Sequence, residues 1–267
     1  MKDILGFEGQ RVVVTGAFSG MGEAAARLLV ELGAEVFALD IKEVTAPVKQ
    51  FIQTDLSKPE SIEAAVAKIP GELYALFNCA GLPGSPFSNL DTVLVNFVGL
   101  RQLTESLLPR IVDGGSVTSI TSVAGMGYKK NMDNVSALLA TPDFASARAW
   151  CEAHPDAVNG YLFSKQCIIA YTMARAGELA KRAVRINCVS PAPTDTPMME
   201  SFHAQISKEF MDEHFQAPIG RNATPEEMAE PVVFLGSHAA RFISGVNLFV
   251  DHGYTAQVDS GQRPGLL

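Results

Sequence analysis

Tyr161 and Lys165 stand four residues apart, so on a helix they share one face. A tyrosine near its free pKa of about 10 is a poor base at neutral pH. An ammonium group beside it stabilises the phenolate and draws that pKa down toward the working range. The pair can therefore exchange a proton with an oxygen atom, although the same spacing also describes a solvated helix face. The second chemistry-bearing run is Thr15-Gly16-Ala17-Phe18-Ser19-Gly20-Met21-Gly22, placed after Val12-Val13-Val14 and before a stretch of helical period. Glycines there let the backbone approach a pyrophosphate closely, while a helix N-terminus offers unpaired N–H groups and partial positive charge. Gly16, Ser19, Gly20 and Met21 are taken as cofactor contacts on that ground. Asp40, 18 residues beyond Gly22 at the end of the next β-branched run, can accept hydrogen bonds from adenosine ribose hydroxyls and would repel a 2′-phosphate. Ile41 and Ser19 add no cation, whereas Lys42 does, so NAD is favoured over NADP without being required. A solvated strand end is the other reading of Asp40.

These residues need a frame that brings strand ends together. Short β-branched runs alternate with longer stretches of helical period, the order that gives a parallel sheet covered by helices on both faces. Strands are expected at 12–14, 35–39, 51–52, 73–77, 116–121, 184–189 and 246–250, and helices at 23–32, 90–111, 161–181 and after Thr224. Ser57-Lys58-Pro59-Glu60 and Thr224-Pro225-Glu226-Glu227 read as capping boxes with proline just inside the helix start. Two stretches break the alternation. Residues 124–160 read as one or two short helices, with Leu138, Leu139, Phe144, Ala147 and Trp150 as packing residues. Residues 197–218 carry Met198, Met199, Phe202, Ile206, Phe210, Met211 and Phe215, which suits either a packed helix pair or a substrate lid.

The 267 residues, 47% of them apolar, suffice for one large core or two small ones. The alternation never pauses long enough to mark a second core, so one domain spanning 1–267 is expected. With 21 basic against 29 acidic side chains the formal charge is -8, which argues against nucleic acid and anionic lipid as partners. No run approaches the roughly 20 apolar residues of a membrane span, and Met1-Lys2-Asp3-Ile4-Leu5 lacks the flanks of a signal peptide. A soluble, cytoplasmic protein is the expectation. Cys79, Cys151, Cys167 and Cys188 are far apart, with no histidine at ligand spacing, so buried reduced thiols are expected and no metal site.

Taken in order, the motifs resemble those of the short-chain dehydrogenase/reductase family from about Gly9 to Tyr254. The family's TGxxxGxG is Thr15 to Gly22, its acidic position is Asp55-Leu56, and its NNAG is Asn78-Cys79-Ala80-Gly81. Its helix asparagine is Asn96, its serine Ser122, its YxxxK Tyr161 and Lys165, and its N-x-V-x-P-G-x-x-x-T-P stretch runs from Asn187 to Pro197. The resemblance implies a single doubly wound α/β Rossmann domain with a parallel sheet of about seven strands. It also implies NAD contacts at Asp55, Leu56, Asn78, Ala80, Gly81, Pro191, Thr194 and Thr196 besides the glycine turn, Asp40, Tyr161 and Lys165. Tyr161 would be the general acid/base, Lys165 would lower its pKa and hold the nicotinamide ribose, and Ser122 would bind the substrate oxygen. Asn96 would position a water linking Lys165 to solvent, and hydride would pass directly between substrate carbon and nicotinamide.

This chain departs from the pattern at Cys79, where the family has a second asparagine, and at Ala192 and His252, where it has glycines. Ala192 leaves the contacts of Thr194 and Thr196 less determined. The largest departure is spacing: Tyr161 follows Ser122 by 39 residues, where the family generally manages with about a dozen, so roughly 25 residues are inserted, at about 128–158. A similar insertion occurs in the branch holding 3α-hydroxysteroid dehydrogenase/carbonyl reductase and coniferyl-alcohol dehydrogenase, which this chain also resembles in Gly81 to Gly84, Val95 to Arg101 and Ser122 to Gly127. That branch implies a bulky hydrophobic or aromatic alcohol or ketone as substrate, with a lid at about 194–218. A non-catalytic NAD-binding sensor or scaffold is the alternative, and a lyase or epimerase on the same fold is a third. The family often assembles through its two long central helices. Here the insertion is expected to block or rebuild that interface, leaving a homodimer through another surface or a different homotetramer.

Overall fold

Val12, Val13 and Val14 are all fully buried, as a strand covered on both faces must be. Their side chains alternate: Val13 packs with Phe37, Leu39, Leu76 and Phe163 on one face of the sheet, and Val12 and Val14 with Leu29, Val36, Phe77 and Val232 on the other. In the computed structural model, which describes residues 3–204 and 206–264, this run is β1 (Arg11–Thr15). It is followed by β2 (Glu35–Asp40), β3 (Gln50–Gln53), β4 (Leu73–Asn78), β5 (Ile111–Ile120), β6 (Arg185–Pro191) and β7 (Asn247–Val250). All pairings are parallel, and the sheet order is β3-β2-β1-β4-β5-β6-β7. Because β1 lies between β2 and β4, the chain leaves it in opposite directions, and a crevice opens at the carboxyl ends of those strands. The expected single α/β sheet is thus the observed one. The expected domain limits include residues 1, 2, 205 and 265–267, which lie outside the described residues.

Helices α1 (Gly20–Glu31) and α10 (Pro225–Gly236) bury Ala25, Ala26, Leu29, Ala229, Val232 and Val233 against one face. The other face is covered by α2 (Pro59–Lys68), α3 (Asn89–Val93), α4 (Leu100–Leu107) and α7 (Tyr161–Leu179). The Thr224 capping box is present as expected: its hydroxyl accepts from Glu227 N at 3.3 Å and Glu227 Oε2 accepts from Thr224 N at 2.9 Å. The Ser57 box is not. The helix starts one residue later with Lys58 as an uncapped N-cap, because the Asp55 carboxylate takes the Ser57 hydroxyl at 2.6 Å in a charge-assisted bond.

The helix expected over 90–111 is broken into three. α3 passes at Leu94–Gly99 into a π turn, then α4 ends at Leu107 and a 3₁₀ turn containing Pro109 leads into β5. A proline lacks the N–H that an α-helix would need there. The helix expected to reach Lys181 ends at Leu179 and closes through Ala183 in the left-handed region, φ 52. The insertion forms two short helices, α5 (Met132–Leu139) and α6 (Phe144–Ala153). Val135, Leu138, Phe144, Ala147 and Cys151 join the core, with Leu139 and Trp150 partly buried beside it. Each large apolar side chain so buried contributes on the order of 2 kcal/mol, whereas the exposed Arg148–Glu152 pair contributes about 0.5 kcal/mol. Apolar packing holds the insertion. Arg101, buried in α4, adds an anchor by donating to the carbonyls of Leu138 and Leu139 and to Thr141 Oγ1 at 3.1, 3.2 and 2.9 Å.

All four cysteines are free, and Cys151, Cys167 and Cys188 are buried. Burial pushes Cys79 and Cys188 up to about 12 and Cys151 to about 11, with Cys167 raised as well. Unfolded thiols ionise near 9, so above that pH unfolding releases protons that the folded chain retains, and the stability the neutral thiols contribute is lost as pH rises through their folded values. Thermal melts should show a falling midpoint from pH 9 upward toward about 12. The fall should be shallower in Cys188→Ala; parallel curves would contradict this.

Candidate active site

Thr15 ends β1, and its hydroxyl accepts from the amides of Cys79 and Ala80 at the end of β4, both at 3.1 Å. This bond draws the turn after β1 so close to β4 that a Cβ on Gly16 would lie 2.7 Å from the Ala80 backbone. A Cβ on Gly22 would lie 2.1 Å from the Gly16 carbonyl oxygen. The glycines are therefore required by backbone approach, and they leave an open groove over the N-terminus of α1. It has a volume of about 310 Å³ and is lined by Gly16, Ser19, Gly20, Met21, Asp40, Leu56, Ala80, Gly81 and Thr196 among the expected contacts. Asp40 is oriented by two amides, Phe18 N to Oδ2 and Lys42 N to Oδ1, each at 3.0 Å. The Lys42 ammonium rests 4.9 Å above the Phe18 ring. A glycine-floored groove at a helix N-terminus, with a carboxylate at its far end, fits a dinucleotide of the nicotinamide type.

Six expected contacts do not line this groove: Tyr161, Pro191 and Thr194 open into the cavity beside it, Lys165 stands behind it, and Asn78 and Asp55 are engaged elsewhere. Asn78 is buried beneath it, donating to Thr104 Oγ1 at 3.1 Å and Ser119 Oγ at 3.3 Å, and so ties β4 to its neighbours. The Asp55 side chain is engaged by Ser57 and by Lys58 Nζ at 3.0 Å, which hold it below the usual carboxylate range despite partial burial. Thr54 lines the groove without having been singled out from sequence, and Val95, noted only as part of the run Val95 to Arg101, lines it as well. Thr54 could have been found by its place at the end of β3, whereas nothing local marks Val95 as a groove residue.

A second cavity of about 540 Å³ meets the first, sharing Met21, Thr196 and Met198. Ser122, Tyr161, Pro191 and Thr194 open into it. Helices α8 (Pro197–His203) and α9 (Lys208–Phe215) provide much of its wall through Met198, Met199, Phe202, Met211 and Phe215. Gln205, within the stretch expected to be a lid, lies outside the described residues. Phe202 meets the Tyr161 ring edge-on at 5.2 Å. Phe87, Asn89, Asn159 and Leu162 also line the cavity, contributed by segments that only the fold brings together. Thr194 donates to the Ala192 carbonyl at 2.8 Å, so the extra methyl of Ala192 leaves this turn intact. His252 takes a positive φ of 51, a conformation glycine adopts at lower cost.

Lys165 and Asn96 stand behind the two cavities. Lys165 Nζ donates to the Ile120 carbonyl at 3.0 Å and lies 5.3 Å from the Tyr161 ring centre. Burial pulls Lys165 down to about 8, and it pushes Tyr161 above its ordinary value, with the Ser122 hydroxyl acting in the opposite direction. The sequence reading expected the ammonium to lower the phenol; here Lys165 Nζ is turned to the Ile120 carbonyl and desolvation sets the direction. Asn96 sits fully buried in the π turn, where such single-turn widenings often mark functional sites. Its amide is committed, donating to the Leu82 carbonyl at 3.0 Å and Ser164 Oγ at 3.2 Å, while its oxygen accepts from Leu82 N at 2.6 Å.

Among the described residues no helix is long and apolar enough to cross a membrane, and no group of three or more His, Cys, Asp or Glu could hold a metal. A sequence model of the short chain dehydrogenase family matches residues 10–137, and one described as enoyl-(acyl carrier protein) reductase matches residues 145–255. Coniferyl-alcohol dehydrogenase from Pseudomonas sp. is 34% identical, covering 91% of this chain and 96% of that protein. The 3-alpha-hydroxysteroid dehydrogenase/carbonyl reductase of Comamonas testosteroni is 28% identical over 95% and 98% of the two chains. The crystal structure of the 3-alpha-hydroxysteroid dehydrogenase from Pseudomonas sp. B-0831 complexed with NADH superposes with a TM-score of 0.80 at 29% identity, covering 94% of this chain and 98% of that one. The chain belongs to the short-chain dehydrogenase/reductase family of oxidoreductases.

Because Gly22 has no room for a side chain, Gly22→Ala must move the turn that floors the groove. Titration with NADH should show its Kd weakened by about tenfold or more, or about 1.4 kcal/mol. An unchanged Kd would separate the glycine turn from cofactor binding.

Proposed function

We propose that the protein is an NAD-dependent alcohol dehydrogenase/ketoreductase that interconverts a hydroxyl and a carbonyl on a bulky hydrophobic or aromatic substrate, such as a hydroxysteroid or an aryl alcohol. The observation that carries this reading is that Ser122 and Tyr161 open into a large, mainly apolar cavity continuous with the glycine-floored groove. The names of the coniferyl-alcohol and hydroxysteroid relatives support the substrate class. NAD over NADP is supported by Asp40, whose carboxylate is turned to the groove, and by the exposed, uncharged Ile41 beside it. The four free thiols suit a reducing compartment, the cytoplasm.

The amides around Gly16 to Gly22 would hold the pyrophosphate, Asp40 the adenosine ribose, and Leu56, Ala80 and Gly81 the groove wall beside it. Asp55 and Asn78 would support that wall from behind. Pro191, Thr194 and Thr196 would hold the nicotinamide end and Lys165 its ribose. When bound, the cofactor accepts or supplies the hydride. Tyr161 exchanges a proton with the substrate oxygen, and Ser122 hydrogen-bonds that same oxygen and orients it. Lys165 offsets the charge of the phenolate when Tyr161 is ionised. A relay through Asn96 would use its main chain, since its side-chain amide is spent on Leu82 and Ser164. Helices α8 and α9 would serve as the lid.

Oxidation needs the phenolate and reduction needs the phenol. Because burial raises Tyr161, kcat/KM for alcohol oxidation should climb with pH through the alkaline range while that for ketone reduction declines. Tyr161→Phe should lower both by about 10³-fold, followed by NADH absorbance with an alcohol and ketone panel. Full activity in that variant would exclude the mechanism.

The insertion also bears on assembly: α5 and α6 pack over α7 and the π turn, covering the helices through which the family often associates. A dimer through another surface, or a rebuilt tetramer, is our reading. Light scattering on a variant with 131–156 replaced by a short turn should report a changed assembly, and an unchanged one would count against it.

A further inference from the structure

The outer wall of the substrate cavity is held in place by little core packing. Neither α8 nor α9 has a fully buried residue among those described: Met198, Met199, Phe202, Met211 and Phe215 face the cavity, and Phe210 is exposed against His214. At its N-terminus α9 is capped by Ser207, whose hydroxyl accepts from Phe210 N at 3.2 Å. Its C-terminus is held from a distant part of the chain. Arg263 donates through Nη2 to the Glu213 carbonyl at 2.6 Å and through Nη1 to the Gln216 carbonyl at 2.8 Å. A cation bonded to the last carbonyls of a helix satisfies orphan acceptors and opposes the negative end of the helix dipole.

Arg263 is itself fixed. Its guanidinium lies 4.7 Å above the ring of Tyr254, and its amide donates to the Gln257 carbonyl at 3.1 Å. Tyr254 is buried and opens α11 (Tyr254–Asp259) directly after β7. The turn between them is locked by Asp251, whose carboxylate accepts from Gly253 N, Thr255 N and the Thr255 hydroxyl. A continuous mechanical path therefore runs from the sheet edge through α11 and Arg263 to α9, and so to Met211 and Phe215 in the cavity wall.

We propose that Arg263 is a positioning residue that latches α9 across the substrate cavity and thereby sets how tightly bulky apolar substrates are held. The proposal rests on the reading that this cavity takes the substrate. A wall ordered before binding presents its apolar surface at no further entropic cost, whereas an unlatched one must be ordered by each substrate. That cost falls on binding. The chemistry belongs to Ser122, Tyr161 and Lys165, on β5's end and α7, which Arg263 does not touch. A small alcohol reaching only Ser122 and Tyr161 would not depend on α9.

The test compares wild type, Arg263→Ala and Arg263→Lys in steady-state oxidation of a small secondary alcohol and a hydroxysteroid, together with amide hydrogen exchange of the ligand-free proteins. Arg263→Ala should raise KM for the hydroxysteroid by about tenfold, the loss of two charge-assisted bonds, with kcat and the small-alcohol KM within about twofold. Exchange should quicken across 208–216 and stay unchanged across 161–179. Arg263→Lys, keeping the charge without the fork, should fall between. Equal exchange at 208–216 in wild type and Arg263→Ala, or a KM rise shared equally by both alcohols, would overturn the latch. If wild type oxidises neither alcohol, the function proposed above fails, and exchange at 208–216 then decides on the latch alone.

Discussion

The bond from the Thr15 hydroxyl to the amides of Cys79 and Ala80 is the constraint on which the site depends. It brings the ends of β1 and β4 together at the place where the chain leaves the sheet in opposite directions. With the strands that close, Gly16 and Gly22 are the only residue type that fits, and their missing side chains become the floor of a groove. Strand order, glycine turn and cofactor crevice are one consequence of one close approach.

From that approach the rest of the site is assembled by short tethers rather than by long-range charge. Asn96 clips the Leu82 backbone just beyond the β4 end, and the π turn holds it at the depth where Ser164 can also reach it. Lys165 is carried by α7 to the Ile120 carbonyl at the end of β5. Both titratable partners are then desolvated, Lys165 downward and Tyr161 upward. The medium resists charge on each, and at Tyr161 the Ser122 hydroxyl acts against that resistance.

The second cavity follows a different physical rule. The inserted helices α5 and α6 are bolted by apolar burial and by Arg101, and they belong to the core. The wall helices α8 and α9 turn similar apolar side chains toward open space. Two stretches that both break the strand–helix alternation thus play opposite parts, one adding to the core and the other bounding a cavity that a hydrophobic guest can fill.

Much of this was legible in the sequence. The alternation of β-branched runs with helical periods, the glycine spacing, Asp40, the Tyr161–Lys165 pair and the Thr224 cap are local features, and local propensity and sterics act within a few residues. Tertiary structure decided what depends on distant partners. Asp55 captured Ser57 and cancelled a cap that the pattern announced. Asn96 and its neighbours turned a continuous helix into α, π and α segments, a change no periodicity records. Desolvation, which arises only when the chain closes around a group, reversed the direction expected for Tyr161. Phe87, Asn89, Asn159 and Leu162 became cavity lining because the starts of α3 and α7 meet there. The sequence by itself determined the frame and the candidate chemical groups; only the folded chain decided their environment, because burial and close contact are properties of residues brought together from far apart.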